Sequence, residues 1–374
     1  MALSALAMLL TMTACDDPIQ ANMDNATLNK KKSKLGELFY NAKSLSANGK
    51  MSCATCHDTE HAMIDSRVDT NSIGASESTD GAKLGDRNAP TAAYAMFSPR
   101  FHFDSGEGLY IGGQFLDGRE ADLKGQAKGP FLNPAEMQMP DEASVVAVIE
   151  ANTTLNTQLK SIYGDDIFNN TLKAYDAVAD SIALFEMSPL FAPFNSKYDD
   201  YLASKVSLTD LEKEGLRLFS GKAMCTACHP ALGENGAPPL FTDYSYDNLG
   251  TPANSALHAA RSANGQDNPV DLGLGKTVSD VSLNGAFKVA TLRNIALTGP
   301  YMHNGVFKDL KTVVHFYNTR DVVGAINPET NTTWEVSEVP ETVNHVELGN
   351  LQLTNHEEDA IVAFLETLSD KKFK

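Results

Sequence analysis

The chain has 374 residues and a formal net charge of −18, with 48 acidic and 30 basic residues. This length is sufficient for two domains, each with its own core. The negative charge argues against nucleic-acid binding, which requires basic surface patches, and is compatible with attraction of a basic partner protein.

The first segment, residues 1–15, is an apolar run that ends in Thr-Ala-Cys. It is too short to span a bilayer and is typical of a secretory signal peptide with a lipobox-like end, which makes Cys15 a candidate lipidated N-terminus. An ordinary signal peptide cleaved nearby is the alternative. No Lys or Arg precedes the run, which departs from the basic start typical of both kinds of signal peptide. Both interpretations predict a periplasmic protein, and the first predicts a membrane-anchored lipoprotein. Residues 16–32 are polar and are predicted to form a tether.

Two copies of a C-x-x-C-H motif follow, and they contain four of the five cysteines of the chain. The two thiols at this spacing can bond to the vinyl groups of one porphyrin, and the adjacent imidazole can bind its iron. The sequence therefore predicts two covalently bound haem c groups. Haem 1 would be held by Cys53, Cys56 and His57, and haem 2 by Cys225, Cys228 and His229.

A weak internal repeat precedes the two motifs, with LGELF at residues 35–39 and GLRLF at 215–219. Each copy is predicted to form a short amphipathic helix beside a porphyrin. Together with helical periodicity at 141–159, 171–187 and 357–368, the repeat predicts a mainly α protein with two cytochrome-c-like haem domains. We expect the domains at 33–205 and 206–374, a boundary near 188–208, and long irregular loops at 66–93, 230–285 and 319–350.

Further segments resemble the bacterial dihaem cytochrome c peroxidase family, including its MauG-like branch. They are RNAPT at 87–91, FLDGR at 115–119, GPFLNPAEM at 129–137, TLRN at 291–294, GPYMHNG at 299–305 and IVAFL at 361–365. The resemblance implies an enzyme that reduces hydrogen peroxide at haem 1. It further implies that Glu136 is the acid–base group and that Gln126 and Pro130 line the same pocket. A carboxyl group in such an apolar setting is expected to have a raised pKa.

Members of the peroxidase branch close the haem 1 iron with a histidine from a loop after the first motif. Residues 66–93 contain no histidine in this chain. His61 and His102 are the nearest others, and we expect both to be structural. Haem 1 is therefore predicted to be five-coordinate or water-bound, so that activation by prior reduction is unnecessary.

The resemblance also implies a distal ligand for haem 2, fourteen residues after His303. That position is Tyr317, and MauG-like members carry a tyrosine there. A phenolate oxygen lowers the potential relative to methionine. Met302 and His315 are the rival ligands, and a buried core tyrosine is the structural alternative.

The chain departs from the family where tryptophan is usual, because Leu116 occupies that position between the haems. Leucine cannot be oxidised, so electron transfer through this position is in doubt. Phe115 and Tyr110 are candidate substitutes, and the single tryptophan, Trp334, is expected to be a packing residue.

The resemblance implies a calcium ion between the haem domains, bound by Asn88, Thr298 and Pro300. Oxygen ligands of this kind suit Ca²⁺. Electrons are expected from a small cytochrome c or a cupredoxin. Family members are often dimers, so the resemblance makes a homodimer a candidate assembly, but no sequence pattern indicates an interface. Two alternatives to the peroxidase stay open. One is a MauG-like oxidase that uses peroxide to oxidise a partner protein, and the other is a plain electron-transfer protein.

Overall fold

The computed structural model describes residues 18–68, 73–233 and 237–374. The predicted signal peptide and Cys15 lie outside these residues. Within the described ranges, no helix is both long enough and apolar enough to cross a membrane.

The molecule is mainly helical, as predicted, and its helices fall into two groups along the chain. The first group comprises α1 (Pro18–Asn41), α2 (Cys53–Cys56), α3 (Leu123–Gln126), α4 (Gly129–Leu132), α5 (Glu142–Ala151), α6 (Thr153–Tyr163) and α7 (Thr171–Glu186). The second group comprises α8 (Lys197–Leu202), α9 (Asp210–Ser220), α10 (Ser255–Ala263), α11 (Gly273–Val278), α12 (Leu310–Thr319) and α13 (Asn355–Glu366).

The described ranges also contain three small antiparallel pairs of strands. The first pair joins β1 (His102–Asp104) to β2 (Leu109–Ile111). The second joins β3 (Tyr246–Asp247) to β4 (Phe287–Lys288), and the third joins β5 (Ile326–Asn327) to β6 (Thr332–Thr333). The predicted loop at 230–285 is less irregular than expected, because it contains α10 and α11.

Capping side chains set several helix boundaries. Asn152 follows the last residue of α5, and its side chain accepts hydrogen bonds from the backbone N–H groups of Thr154 and Leu155, so it also caps α6. The predicted helix at 141–159 is therefore two helices, since an Asn side chain that caps a new helix ends the previous one. Asn170 caps α7 in the same way.

The internal repeat corresponds to two matching helix crossings. A Cβ atom at Gly36 of α1 would overlap the carbonyl oxygen of Ser181 in α7, and one at Gly215 of α9 would overlap that of Ala360 in α13. Glycine is needed at both crossings because the two helix backbones come into contact there. In each half, the helix before the haem motif thus packs on the last helix of that half.

The predicted tether is helical from Pro18 onward, because α1 extends through it. Ala26, Leu28 and the three lysines at 30–32 favour helix formation, although the asparagines between residues 22 and 29 do not. Lys32 pairs with Asp180 of α7 at 2.8 Å, which joins this segment to the first half.

Each half has its own hydrophobic core. The first core extends from Leu35 to Phe191 and includes Phe373 from the end of the chain. The second extends from Tyr198 to Leu368. The change from one core to the other lies inside the interval 188–208.

Candidate haem centres and catalytic site

The first C-x-x-C-H motif forms a single helical turn with a fixed histidine. Ser52 and Thr55 form a reciprocal capping box at its start, and the Tyr40 hydroxyl donates to the His57 carbonyl at 3.2 Å. Nδ1 of His57 lies 3.2 Å from the Met63 carbonyl oxygen. Since Nδ1 is the donor in this contact, Nε2 carries a lone pair that can bind iron. Burial lowers the pKa of His57, which favours the neutral form that ligates a metal.

Glu136 lies close to this motif. Its ionised carboxylate contributes to raising the pKa values of both Cys53 and Cys56, although burial is the larger cause. The Asn133 side-chain amide donates to Oε1 of Glu136 at 2.7 Å. Burial raises the pKa of Glu136 to about 7, against the opposing effects of Asn133 and the positive charge of Arg119. At neutral pH this carboxyl group can both accept and donate a proton.

The other residues implied for this pocket lie on the two short helices before Glu136. Gln126 is the last residue of α3, and Pro130 is the second residue of α4. The Pro130 carbonyl accepts a hydrogen bond from the Met137 N–H at 3.2 Å, which holds the turn that carries Glu136 against α4.

The two histidines nearest to the first motif are at the surface. Nδ1 of His61 lies 2.8 Å from a carboxylate oxygen of Asp58, and 61% of its side chain is exposed. His102 is exposed in β1, with Nδ1 2.8 Å from the Arg100 carbonyl. The structural role expected for both residues stays a prediction.

The second motif borders a deep apolar cavity of about 340 Å³. Nδ1 of His229 lies 2.7 Å from the Phe241 carbonyl, so Nε2 is again free to bind iron. Burial lowers the pKa of His229 as well. Cys225 and Cys228 line the cavity together with His229, Met302 and Tyr317.

Helix α12 carries two of the candidate distal ligands of haem 2, Tyr317 and His315, and only Tyr317 lines the cavity. Leu310, Val313, Val314 and Tyr317 line the cavity, and their spacing of three and four residues places them on one helix face. His315 does not belong to this set, and its Nδ1 lies 2.8 Å from a Glu358 carboxylate oxygen. Burial raises the pKa of Tyr317, and the thiols of the second motif raise it further, so the phenol lies near the haem attachment site.

The candidate calcium ligands are brought together from opposite halves of the chain. The Asn88 side-chain nitrogen lies 2.6 Å from the Pro300 carbonyl oxygen. Asn88, Thr298 and Pro300 also line the same cavity. His303 stacks on Phe287 with ring centroids 3.7 Å apart, and burial lowers its pKa to about 4.

Comparison with known proteins gives consistent results over most of the chain. A profile described as di-haem cytochrome c peroxidase matches residues 30–207. The methylamine utilization protein MauG of Paracoccus denitrificans is 41% identical over 347 residues, which are 91% of this chain and 89% of that protein. The chain belongs to the di-haem cytochrome c peroxidase family. It is accordingly a peroxidase-type oxidoreductase with haem c cofactors.

Other relatives support the same assignment. Cytochrome c551 peroxidase of Nitrosomonas europaea is 29% identical over 359 residues, or 95% of this chain and 85% of that protein. The crystal structure of the diheme peroxidase BthA from Burkholderia thailandensis superposes with a TM-score of 0.81 at 29% identity, covering 91% of this chain and 86% of that one. The two-domain haem fold is thus common to the family and to this chain.

The donor groups of both motifs fit haem c. Each motif supplies two free cysteines and a histidine whose Nδ1 contacts a backbone carbonyl. The second motif adds an apolar cavity with a tyrosine on the wall formed by α12. In the calcium set, all three residues offer oxygen atoms, which suits that cation.

Leu116, Phe115 and Tyr110, the residues considered for electron transfer, lie in two different parts of the structure. Leu116 and Phe115 line the haem 2 cavity, and the Arg119 guanidinium lies 3.6 Å from the Phe115 ring centroid. Tyr110 lies between Phe101 and Phe103 on the β1–β2 hairpin.

Trp334 is a packing residue, as expected. Its ring packs edge-on against Phe307 and Phe316, and its indole N–H donates to the Thr319 hydroxyl at 2.9 Å.

Several polar groups near the centres could not be identified from the sequence. Glu186, at the end of α7, is buried beside Cys53, and burial raises its pKa to about 8. Asp247 and Glu347 lie within 4.8 Å of Cys228. Cys228 belongs to the second C-x-x-C-H motif, so these carboxyl groups lie beside the predicted attachment site of haem 2. They come from distant parts of the chain, and no motif marks them.

Proposed function

We propose that the protein reduces hydrogen peroxide to water at haem 1, with electrons delivered through haem 2 from a small redox protein. The observation that carries this proposal is the half-buried Glu136 carboxyl group beside the first haem motif, whose pKa desolvation raises to about 7. Cleavage of peroxide requires a group that moves a proton from one oxygen to the other, and a group that titrates near the working pH does so best.

Haem c supplies, when bound, an iron that binds peroxide and exchanges electrons. The chain supplies the proton transfer. The carboxylate form of Glu136 takes a proton from one peroxide oxygen, and its acid form returns that proton to the other, which leaves as water. Asn133 holds the carboxyl group in place through its hydrogen bond. Gln126 and Pro130 are proposed to line the same pocket.

We propose that His229 and Tyr317 would both hold the iron of haem 2 when the group is bound. The position of Tyr317 on the cavity side of α12 supports this. Met302 lines the same cavity and is the rival ligand. An iron closed on both sides transfers electrons without reacting with peroxide, which leaves the reaction to haem 1.

We further propose a calcium ion bound by Asn88, Thr298 and Pro300. The Asn88 side-chain amide donates to the Pro300 carbonyl at 2.6 Å, which places the two residues side by side. Calcium binding requires the amide group to turn so that its oxygen faces the ion. The protein is proposed to be periplasmic, since haem c is attached outside the cytoplasm, with lipid attachment at Cys15 as an additional proposal. The net charge of −18 suits a basic cytochrome c or cupredoxin as electron donor.

A second candidate function is oxidation of residues in a partner protein, as in the MauG-like branch. Tyr317 favours it, and so does the 41% identity to a methylamine utilization protein. In this case the oxidising equivalents would be retained by the two haems until a protein substrate supplied electrons.

Mixing the resting ferric protein with peroxide tests the proposal and discriminates between the two functions. The peroxidase predicts rapid, repeated oxidation of reduced cytochrome c without prior reduction of the enzyme. The oxidase predicts slow turnover and a long-lived oxidised state in which the spectra of both haems are changed. Failure of peroxide to alter either haem, before or after reduction, would contradict both.

A further inference from the structure

Tyr94 belongs to the first core and also lines the cavity beside the second haem motif. It is 1% exposed, and the core that contains it is also the one against which Cys53 and Cys56 pack. Two residues before Tyr94, the Ala92 N–H donates to the Met63 carbonyl oxygen. The same oxygen contacts Nδ1 of His57 in the first haem motif.

The phenol of Tyr94 is hydrogen-bonded to the buried carboxyl group of Asp370. Its hydroxyl donates to Oδ2 of Asp370 at 2.7 Å, and it accepts from the Phe194 N–H at 3.1 Å. Asp370 is fully buried. The Asn294 side-chain amide and the Asn195 backbone N–H also donate to this carboxylate, each at 2.9 Å. In every one of these contacts a carboxyl oxygen of Asp370 is the acceptor.

The surrounding charges favour loss of an electron and a proton together. The Arg293 guanidinium lies 5.6 Å from the centre of the Tyr94 ring and is fully buried. A positive charge at this distance disfavours a positively charged radical on the ring. Removal of an electron is therefore favourable only if the phenol proton leaves as well, and Asp370 is in contact to accept it.

The local backbone does not require a tyrosine at this position. Tyr94 caps a short 3-10 turn with a φ of 64°, and Asn294 caps the equivalent turn of the second half with a φ of 63°. Both side chains donate to Oδ2 of Asp370. Asparagine tolerates this left-handed conformation better than a bulky residue does. Asn294 therefore meets only the need for a left-handed backbone, whereas Tyr94 also places an oxidisable ring at the equivalent position.

We infer that Tyr94 is a proton-coupled electron relay between haem 2 and haem 1. In the first step Tyr94 gives one electron to haem 1 after peroxide has oxidised it, and the phenol proton passes to Asp370. In the second step haem 2 gives one electron to the neutral tyrosyl radical, and the proton returns from Asp370. The inference rests on the proposed function, because peroxide at haem 1 is the oxidant.

Rapid mixing of peroxide with protein in which haem 2 alone is reduced tests the relay. We expect Tyr94→Phe to slow the oxidation of haem 2 by at least an order of magnitude, with both haems attached and the first reaction of peroxide unchanged. Tyr198→Phe is the matched control, because Tyr198 is equally buried but packs in the second core. It should transfer at the wild-type rate.

Electron paramagnetic resonance of samples frozen during the reaction supplies a second readout, which loss of packing would not mimic. The wild type should give a tyrosyl radical signal. This signal should be absent in Tyr94→Phe, and fluorotyrosine incorporated at position 94 should change its hyperfine pattern. Asp370→Asn should diminish the signal, because the proton acceptor is removed.

Equal rates in Tyr94→Phe and wild type, with no radical dependent on position 94, would overturn the relay and leave the peroxidase intact. A wild-type protein whose haems do not respond to peroxide would instead overturn the proposed function, and the relay with it.

Discussion

The side-chain amide of Asn133 donates to Oε1 of Glu136 at 2.7 Å, across a turn of three residues next to the first haem motif. This bond stabilises the ionised carboxylate, whereas burial favours the protonated acid. The balance places the pKa of Glu136 at about 7, within the range in which a single group can accept and then donate a proton.

Replacement of Glu136 by glutamine should abolish peroxide turnover. The amide has nearly the same shape but cannot carry the proton, so we expect the rate to fall by a factor of about 10²–10⁴ while both haems stay attached. Steady-state oxidation of reduced cytochrome c measures this rate. Glu150→Gln, on the exposed side of α5, is the control and should keep wild-type turnover. Unchanged rates in Glu136→Gln would refute the role of Glu136.

The pH dependence of the reaction should report the same carboxyl group. Glu136 must be ionised to take the first proton, so the rate of reaction with peroxide should rise with pH and level off above about 7. Asn133→Ala removes a hydrogen bond that lowers the pKa, and its inflection should therefore move to higher pH. The variant should be slow at neutral pH and recover in alkaline buffer. A shift toward acid pH would be inconsistent with this assignment.

Substitution of Tyr317 by methionine should raise the midpoint potential of one haem and leave the other unchanged. A thioether sulfur stabilises ferrous iron relative to a phenolate oxygen. Spectroelectrochemical titration of Tyr317→Met measures both potentials. Met302→Leu is the companion variant and should leave both potentials and the resting spectrum unaltered. The reverse pattern would identify Met302 as the ligand.

The close helix contacts at Gly36 and Gly215 predict that a larger residue at either position lowers the stability of its half. Gly215→Ala forces α9 away from Ala360 of α13, and we expect the free energy of unfolding of the second half to fall by about 1–3 kcal/mol. Gly36→Ala should have a similar effect on the first half. Denaturation of the holoprotein, followed at each haem, measures both. Gly106→Ala, at the tip of the β1–β2 hairpin, should change stability by less than about 0.5 kcal/mol. Equal effects of all three substitutions would argue against a specific need for glycine at the two helix crossings.

The local features of this fold were predictable from the sequence. The spacing of Cys53, Cys56 and His57 defines a haem motif without reference to the rest of the chain. The repeat around Gly36 and Gly215 is visible as similar short segments, although the helix contact that requires glycine is not. Asn152 is a recognisable capping residue, but the apolar periodicity on both sides obscured the break that it makes.

The long-range features were not predictable in the same way. Tyr94 and Asp370 are separated by 276 residues, and neither belongs to a motif that indicates the other. Their contact forms because the end of the chain returns to the first core, where Phe373 is buried. The polar composition at 16–32 suggested a tether, and it did not reveal the pairing of Lys32 with Asp180 that continues α1 along the first half.

The central claim is that one haem iron has an open face while the other is bound on both faces. Low-temperature electron paramagnetic resonance of the resting ferric protein, before and after addition of peroxide, tests it most directly. We predict one high-spin haem whose signal is lost on addition of peroxide without prior reduction, and one low-spin haem with nitrogen and oxygen ligands. Two low-spin haems that do not react with peroxide, either as prepared or after partial reduction, would contradict the account.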